Sequence, residues 1–215
     1  MDQRGGSMKE SEQERLQRML QIEDTLYAKG YRAICGVDEA GRGPLCGPVV
    51  AAAVILPKDA CMEGVNDSKK LSEKKREKLY DVIMKEAVAV GVGVSDVDVI
   101  EDINILNATK LAMKKAIDAL AVPADYVLID GNQMIDVGIP GETVISGDAK
   151  SESIAAASII AKVTRDRMLI AFDKVYPEYG FAKHKGYGTK QHRDAIMTYG
   201  LTPIHRPSFC KNFVK

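Results

Sequence analysis

Residues 36–56 read GVDEAGRGPLCGPVVAAAVIL and combine two adjacent acids, a glycine-rich loop and a long apolar run. The apolar residues on either side of the loop predict two strands, Tyr31–Asp38 and Pro48–Leu56, joined by an elaborate connection. Glycine-rich loops after strands often hold the phosphates of a nucleotide cofactor, whereas paired acids often hold a metal ion. The first question is which of these two sites the stretch forms.

The glycine spacing disfavours a nucleotide cofactor. A dinucleotide-binding loop has the pattern G-x-G-x-x-G and leads directly into a helix, whose N-terminus faces the pyrophosphate. Here the glycines stand at 41, 43 and 47, one residue too far apart, and β-like apolar sequence follows. No Gly-Lys-Ser or Gly-Lys-Thr completes a phosphate loop of the Walker type. A nucleotide-cofactor enzyme therefore remains only as the weaker alternative.

Further elements follow along the chain. We expect helices where apolar residues recur at helical spacing and strands where they alternate or run continuously. The predicted helices are 11–29, 73–86, 105–121, 151–175 and 190–199, and the remaining predicted strands are 87–95, 126–130 and 143–146. A hairpin followed by alternating strands and helices predicts an α/β fold, with a mixed central sheet of about five strands flanked by helices.

Three acids lie at predicted strand ends. Asp38 ends the first strand, Asp130 ends the strand YVLID, and Asp148 follows the next strand near the start of a long helix. Ligands bind at the carboxyl ends of parallel strands, so these aspartates converge if their strands are neighbours. Carboxylate oxygens suit Mg²⁺ or Mn²⁺. Each aspartate alone also fits a turn or a helix start, and only the set predicts a metal site.

Glu39 poses a geometric difficulty for this metal site. Adjacent residues of a regular strand point to opposite faces, so Asp38 and Glu39 cannot both reach one metal cluster from an ideal strand. We therefore expect the first strand to end or bulge at these acids. Ala40-Gly41 directly after them is compatible with such a break.

Composition is that of a globular chain without a global preference for polyanions. The 215 residues carry 30 basic and 30 acidic side chains, so any nucleic-acid surface must be local. We see no signal peptide, no membrane-length apolar run and no disulfide-like spacing among the four cysteines, and we expect a cytoplasmic, monomeric protein. Residues 1–30 are expected to form a flexible start and a helical extension, and residues 31–215 the main domain.

Several motifs in order resemble type 2 ribonuclease H, ribonuclease HII, of bacteria. They are GVDEAGRGPLCGPVVAAAV from Gly36, NDSKKLSEKKRE from Asn66, YVLIDGN from Tyr126, GDAKSESIAAASIIAKVTRDR from Gly147 and HKGYGTKQH from His184. The resemblance spans about residues 31–209. It implies an RNase H-like fold and an endonuclease that cuts the RNA strand of RNA–DNA hybrids. It also implies incision at ribonucleotides embedded in duplex DNA, leaving 5′-phosphate and 3′-hydroxyl ends.

The resemblance also implies the site residues. The four acids, Asp38, Glu39, Asp130 and Asp148, match the ligands of two divalent ions, Mg²⁺ or Mn²⁺. The glycine-arginine-glycine motif matches Gly41, Arg42 and Gly43, and the junction-reading tyrosine matches Tyr187. Further candidates for substrate contact are Lys69, Lys70, Ser158, Lys162, Arg165, His184 and Lys185.

Two basic segments support a nucleic-acid partner despite the neutral total charge. Residues 181–193 contain four Lys or Arg, two histidines and no acid, and residues 66–78 contain six basic and three acidic residues. Such side chains position a strand through its phosphates without reading its sequence. An alternative from another class is an inactive hybrid-binding module that kept the fold, but the presence of all four acids favours the enzyme.

Overall fold

The strands form one mixed sheet. A computed structural model describes residues 11–213. The strands are β1 Ile34–Ala40, β2 Val49–Ile55, β3 Ala89–Ser95, β4 Tyr126–Asp130 and β5 Gly141–Val144. The helices are α1 Glu12–Met19, α2 Gln21–Ala28, α3 Glu73–Glu86, α4 Val97–Asp118, α5 Glu152–Val175, α6 Phe181–His184, α7 Lys190–Tyr199 and α8 Pro207–Cys210.

The strand order in the sheet is β3-β2-β1-β4-β5. β1 pairs with β2 in antiparallel fashion and with β4 in parallel fashion, so the central strand carries both kinds of pairing. The predicted α/β class and mixed five-stranded sheet are confirmed. The loop after β1 leads into strand β2 and not into a helix, which removes the dinucleotide cradle.

Helices α5 and α4 cover opposite faces of the sheet at close range. A Cβ atom on Gly36 of β1 would lie 2.1 Å from the backbone of Ser153 in α5, and one on Gly93 of β3 would lie 2.0 Å from the carbonyl oxygen of Ala112 in α4. Only a residue without a side chain permits these approaches. The two helices thereby bury the apolar faces of the sheet.

Several predicted boundaries differ from the structure by a few residues, and two of these differences have a clear local reason. Helix α4 begins at Val97 and not at 105, but it contains a kink at Asn104, whose φ is 65°. The side chain of Asn104 accepts hydrogen bonds from the amides of Leu106 and Asn107, so it caps the segment that the sequence did predict. Strand β5 lies two residues earlier than expected, because its residues Gly141–Val144 pair with β4.

The first predicted helix is two helices that pack on the domain. α1 and α2 meet at Leu20. Met19 is buried in the cluster formed with α3 and α5, whereas Leu26 is buried beside Ile34 of β1 in another cluster. The break lets each helix bury its own apolar residue. The flexible start that was expected before this helical extension lies outside the described residues.

From residue 11 to residue 213, no helix combines the length and the apolar character needed to cross a membrane.

Candidate active site

Three carboxylates from three elements meet at one end of the sheet. Asp38 lies on β1, Asp130 ends β4, and Asp148 lies in a 3₁₀ turn just before α5. Each offers an oxygen, and these oxygens lie within 4.8 Å of one another. The amide of Gly147 donates a 2.6 Å hydrogen bond to Oδ1 of Asp130, which fixes the turn against β4. The predicted convergence of these aspartates is confirmed.

Glu39 lies on the other face of the sheet. Contrary to expectation, β1 neither ends nor bulges at the acids, because Asp38, Glu39 and Ala40 all keep regular pairing with β2. Regular strand geometry therefore sends Glu39 toward the α4 side. There it lines a small cavity of about 40 Å³ together with Asp130, and its carboxylate lies 3.4 Å from Arg42. The predicted break in the strand was wrong.

Burial and the charges of neighbouring acids make Asp38, Glu39 and Asp148 resist ionisation. Burial is the main cause that raises the pKa of Asp38 well above its ordinary value, and the negative charges of Glu39 and Asp130 raise this pKa further. Burial also raises the pKa of Glu39 and of Asp148. Gathering carboxylates in a low-dielectric site is unfavourable unless a cation compensates them. Such a cluster of hard oxygen atoms fits a divalent ion of the Mg²⁺ or Mn²⁺ kind.

The segment 67–69 closes the site from the side of α5. Asp67 lies against Asp148, and its charge and hydrogen bond help to raise the pKa of Asp148 after the effect of burial. Burial alone would lower the pKa of the Lys69 ammonium, but the nearby carboxylates of Asp38 and Asp148 hold it above its ordinary value. Sequence reasoning gave no role to Asp67. The only sequence signal for such a role was the position of Asp67 in the NDSKK motif, between Asn66 and the two lysines.

Ser158 lies behind the site and supports an acid. Its Oγ lies 2.8 Å from Oγ of Ser68, and its hydrogen bond with Asp38 counteracts part of the pKa rise of that acid. Its side chain is buried. The structure therefore gives Ser158 a place beside the carboxylate, not on the surface that meets a substrate.

The glycine-rich loop presents Arg42 and Gly43 to solvent. Gly41 has a φ of 102°, and a Cβ there would lie 2.1 Å from Nε of Arg165, so packing beneath the loop requires this glycine. A Cβ on Gly43 would find only the ring of Tyr187, at 4.0 Å. The side chains of Arg42 and Tyr187 are about half exposed, at 50% and 46%. The three residues 42, 43 and 187 thus share one open surface beside the acids.

The predicted phosphate contacts differ in their availability. Lys69 and Lys70 are exposed on a 3₁₀ turn. Lys162 is partly buried and forms a 2.6 Å ion pair with Asp166, and Lys185 lies 3.6 Å from Glu73 while also donating to the carbonyl of Ala182. Lys69 and Lys70 can therefore bind a phosphate without rearrangement. Lys162 and Lys185 would first have to give up their acidic partners.

Arg165 and His184 serve the interior, which corrects their expected use as substrate contacts. The guanidinium of Arg165 is buried and donates to the carbonyl oxygens of Pro48, Lys185 and Cys46 at 3.0 Å each. The ring of His184 is also buried, and its two nitrogens bond to the backbone of residues 179 and 186. With their polar atoms occupied below the surface, neither is left to bind phosphate.

Comparison with known proteins identifies the family. The sequence model that describes ribonuclease HII matches residues 35–212. The chain belongs to the ribonuclease HII family. It is 58% identical to the ribonuclease HII of Acetivibrio thermocellus over 95% of this chain and 80% of that protein. It is 59% identical to the ribonuclease HII of Enterococcus faecalis over 94% of this chain and 78% of that protein.

Solved structures show the same fold. Ribonuclease H2 from Pyrococcus horikoshii superposes with a TM-score of 0.71 at 27% identity, covering 85% of this chain and 97% of that one. The ribonuclease HII of Archaeoglobus fulgidus, solved in complex with PCNA, gives 0.70 at 25% identity, with 85% and 97% covered. A ribonuclease HIII solved with Mn²⁺ gives 0.58 at 21% identity, with 80% and 64% covered.

Membership of the ribonuclease HII family settles the class of activity. The chain is a metal-dependent ribonuclease, an endonuclease that degrades RNA in RNA–DNA hybrids. The RNase H-like fold is confirmed together with it. The acids at the carboxyl end of β1 and β4 are the only group of three convergent carboxylates within residues 11–213, which makes this rim the candidate active site of the enzyme.

Proposed function

We propose that this enzyme hydrolyses phosphodiester bonds by a two-metal mechanism and also incises duplex DNA at single ribonucleotides. The observation that supports it is the meeting of Asp38, Asp130 and Asp148 within 4.8 Å, while Glu39 lines a cavity with Asp130 on the opposite face of the sheet. When bound there, two Mg²⁺ or Mn²⁺ ions supply an activated water and stabilise the leaving oxygen. The products carry 5′-phosphate and 3′-hydroxyl ends.

The carboxylates hold this charge in a fixed arrangement. Asp38 and Asp130 are set by neighbouring strands and Asp148 by the turn before α5, so little reorganisation is needed when the substrate arrives. Lys69 places a cation beside the acids. That cation attracts the negative charge that a scissile phosphate brings, and it offsets part of the acids' repulsion.

The open surface beside the acids reads the ribose. Gly43 leaves its backbone accessible, and a 2′-hydroxyl is the group that distinguishes RNA from DNA. Arg42 offers a planar guanidinium to a flanking phosphate, and the exposed ring of Tyr187 offers a stacking face for the adjoining sugar or base. Lys69 and Lys70 extend the cationic surface for the duplex backbone.

The remaining assignments follow from the same reasoning. We propose that the chain acts as a monomer, because all four acids, the loop and every substrate contact named above belong to one chain, and we also propose that it acts in the cytoplasm. Gel filtration with light scattering would test this, since a stable dimer at micromolar concentration contradicts a monomer.

The deciding experiment uses three duplexes of one sequence: an RNA–DNA hybrid, DNA with one ribonucleotide, and DNA alone. Each is incubated with Mg²⁺, Mn²⁺ or a chelator, and the ends are mapped. We expect cleavage of the first two with metal and none with the chelator. Asp81→Asn, an exposed acid on α3, is the matched control for variants of the acids. Intact DNA carrying one ribonucleotide would contradict the proposed incision activity.

A further inference from the structure

Arg206 lies directly beneath the glycine-rich loop and is fully buried. Its Nη2 donates to the carbonyl oxygens of Gly41 at 2.6 Å and Gly47 at 2.7 Å, and its Nε donates to Gly47 at 3.0 Å. Its Nη1 donates to Pro44 at 3.0 Å and to Arg42 at 3.1 Å. One side chain thus binds four carbonyl groups of a seven-residue loop.

All the donors of this guanidinium are directed at carbonyl groups of the loop. No carboxylate of the described part of the chain forms an ion pair with Arg206. A buried cation without a counter-ion is costly unless every donor finds an acceptor, and here the acceptors are backbone carbonyls of the loop. A residue kept for packing alone would not need a charge at this place. The arrangement therefore indicates a role tied to the shape of the loop.

The backbone of the same segment reinforces the contact. The amide of Arg206 donates to the carbonyl of Leu45 at 2.8 Å, and the amide of Gly47 donates to the carbonyl of Ile204 at 2.7 Å. Cys46 and His205 form an isolated antiparallel bridge. Residues 204–206 are thus paired with residues 45–47, more than 150 positions away in sequence.

Two histidines extend this support to Tyr187. Thr202 donates its amide to Nδ1 of His205, so the proton of that neutral ring is on Nε2, which lies 3.0 Å from Nε2 of His192. Nδ1 of His192 in turn lies 3.0 Å from the carbonyl of Tyr187 and donates to it. With the Nε2 of His205 protonated, the two rings form a hydrogen-bonded chain that ends at the carbonyl of Tyr187.

The face of the loop that Arg206 does not touch is the one that carries Arg42 and Gly43 beside Tyr187. We infer that Arg206 is a positioning residue that holds the carbonyls of residues 41–47 in place, and that ribonucleotide selectivity depends on it although it never touches the substrate. The inference rests on the proposed role of the loop in reading the 2′-hydroxyl. Small displacements of a positioned group are costly in recognition and catalysis, which makes the effect measurable.

The test measures selectivity as a ratio, which is insensitive to the active fraction of a preparation. In an Asp38→Asn background that does not cleave, we compare the affinities for duplex DNA with one ribonucleotide and for the same duplex without it. Arg206→Lys keeps the charge but replaces the planar fork with one nitrogen, and Arg206→Gln removes the charge. Ile83→Ala, buried on α3 away from the loop, is the control for a general loss of stability.

We expect both Arg206 variants to lower this ratio about tenfold while Ile83→Ala leaves it unchanged. Hydrogen exchange of the peptide covering residues 41–48 should become faster in the free Arg206 variants only. Folded Arg206 variants with an unchanged ratio and an equally protected loop would overturn the inference. So would failure of both variants to fold, because Arg206 would then be a general core residue. If the parent protein itself shows no preference for the ribonucleotide, the proposed function of the loop has failed instead.

Discussion

Asp38 and Asp130 lie side by side on neighbouring parallel strands and on the same face of the sheet. The register pairs Val37 of β1 with Ile129 of β4, so the next residue of each strand is one of the two aspartates. Asp148 joins them from the turn before α5. Strand pairing alone thus brings together two aspartates that are 92 positions apart in sequence. Carboxylates this close together repel each other, which is the reason to expect a cation between them.

Asp38→Asn should abolish cleavage and raise the stability of the metal-free protein. The substitution removes a carboxylate whose pKa is raised by burial and by its acidic neighbours, so it relieves repulsion in the absence of metal. We expect cleavage to fall by at least about three orders of magnitude, below what an ordinary assay detects. Thermal unfolding with and without Mn²⁺ should show a smaller stabilisation by metal than in the parent. Metal-dependent cleavage at the parent rate would refute the assignment of Asp38.

Tyr187→Ala should impair cleavage at a lone ribonucleotide in DNA more than it alters binding of plain duplex. The exposed ring offers stacking worth about 1–3 kcal/mol, and Tyr187→Phe keeps that face. The measurements are the initial cleavage rates on DNA with one ribonucleotide and on the RNA–DNA hybrid, together with the affinity for plain duplex DNA. Tyr199→Ala is the control, because Tyr199 is also exposed, at 60%, but lies on α7. An equal loss on all substrates would speak against a junction-reading role.

Glu23→Ala should destabilise the protein through the start of α5. Oε1 of this buried glutamate accepts from the hydroxyl of Ser151 at 2.5 Å and from the hydroxyl of Ser153 at 2.7 Å, and Ser151 is the residue that caps α5. Removing the acceptor should cost about 2 kcal/mol in the free energy of unfolding, measured by urea titration. The exposed neighbour Asp24→Ala should have almost no effect. A similar loss in both variants would mean that the helix as a whole, not this contact, matters.

Glu152→Gln should stabilise the protein only above acidic pH. Burial raises the pKa of Glu152 from its usual 4.5 to about 7, so the folded state favours the protonated acid. The protonated Glu152 side chain contributes stability that is fully present below pH 4.5 and is lost as the pH rises through about 7. The variant keeps an acceptor for the amide of Met62 but carries no charge.

The difference in unfolding free energy between Glu152→Gln and the parent is the quantity to follow with pH. We expect it to be near zero at acidic pH and to favour the variant by about 2–3 kcal/mol at pH 8. Taking the difference cancels the titration of all other groups. A difference that stays constant across this range would show that the buried acid does not change its protonation.

The local elements and the acids were predictable from the sequence. The limits of α3, β4 and α7 agree with the apolar patterns and capping residues, because those signals are carried by neighbours along the chain. Asp38, Asp130 and Asp148 were identifiable as strand-end acids, and a parallel sheet brings strand ends together. The family resemblance added the activity, which no periodicity contains.

Only the tertiary structure decided how individual side chains are used. Regular pairing of β1 sends Glu39 to the α4 side, and close packing buries Arg165 below the loop where a phosphate contact was expected. Asp67 beside Asp148 and Arg206 beneath Gly41 are contacts between distant segments. Their physical basis is burial, which determines whether a charged group meets solvent, a backbone carbonyl or another charge. Burial is a property of the packed fold, and residue type and spacing along the chain do not contain it.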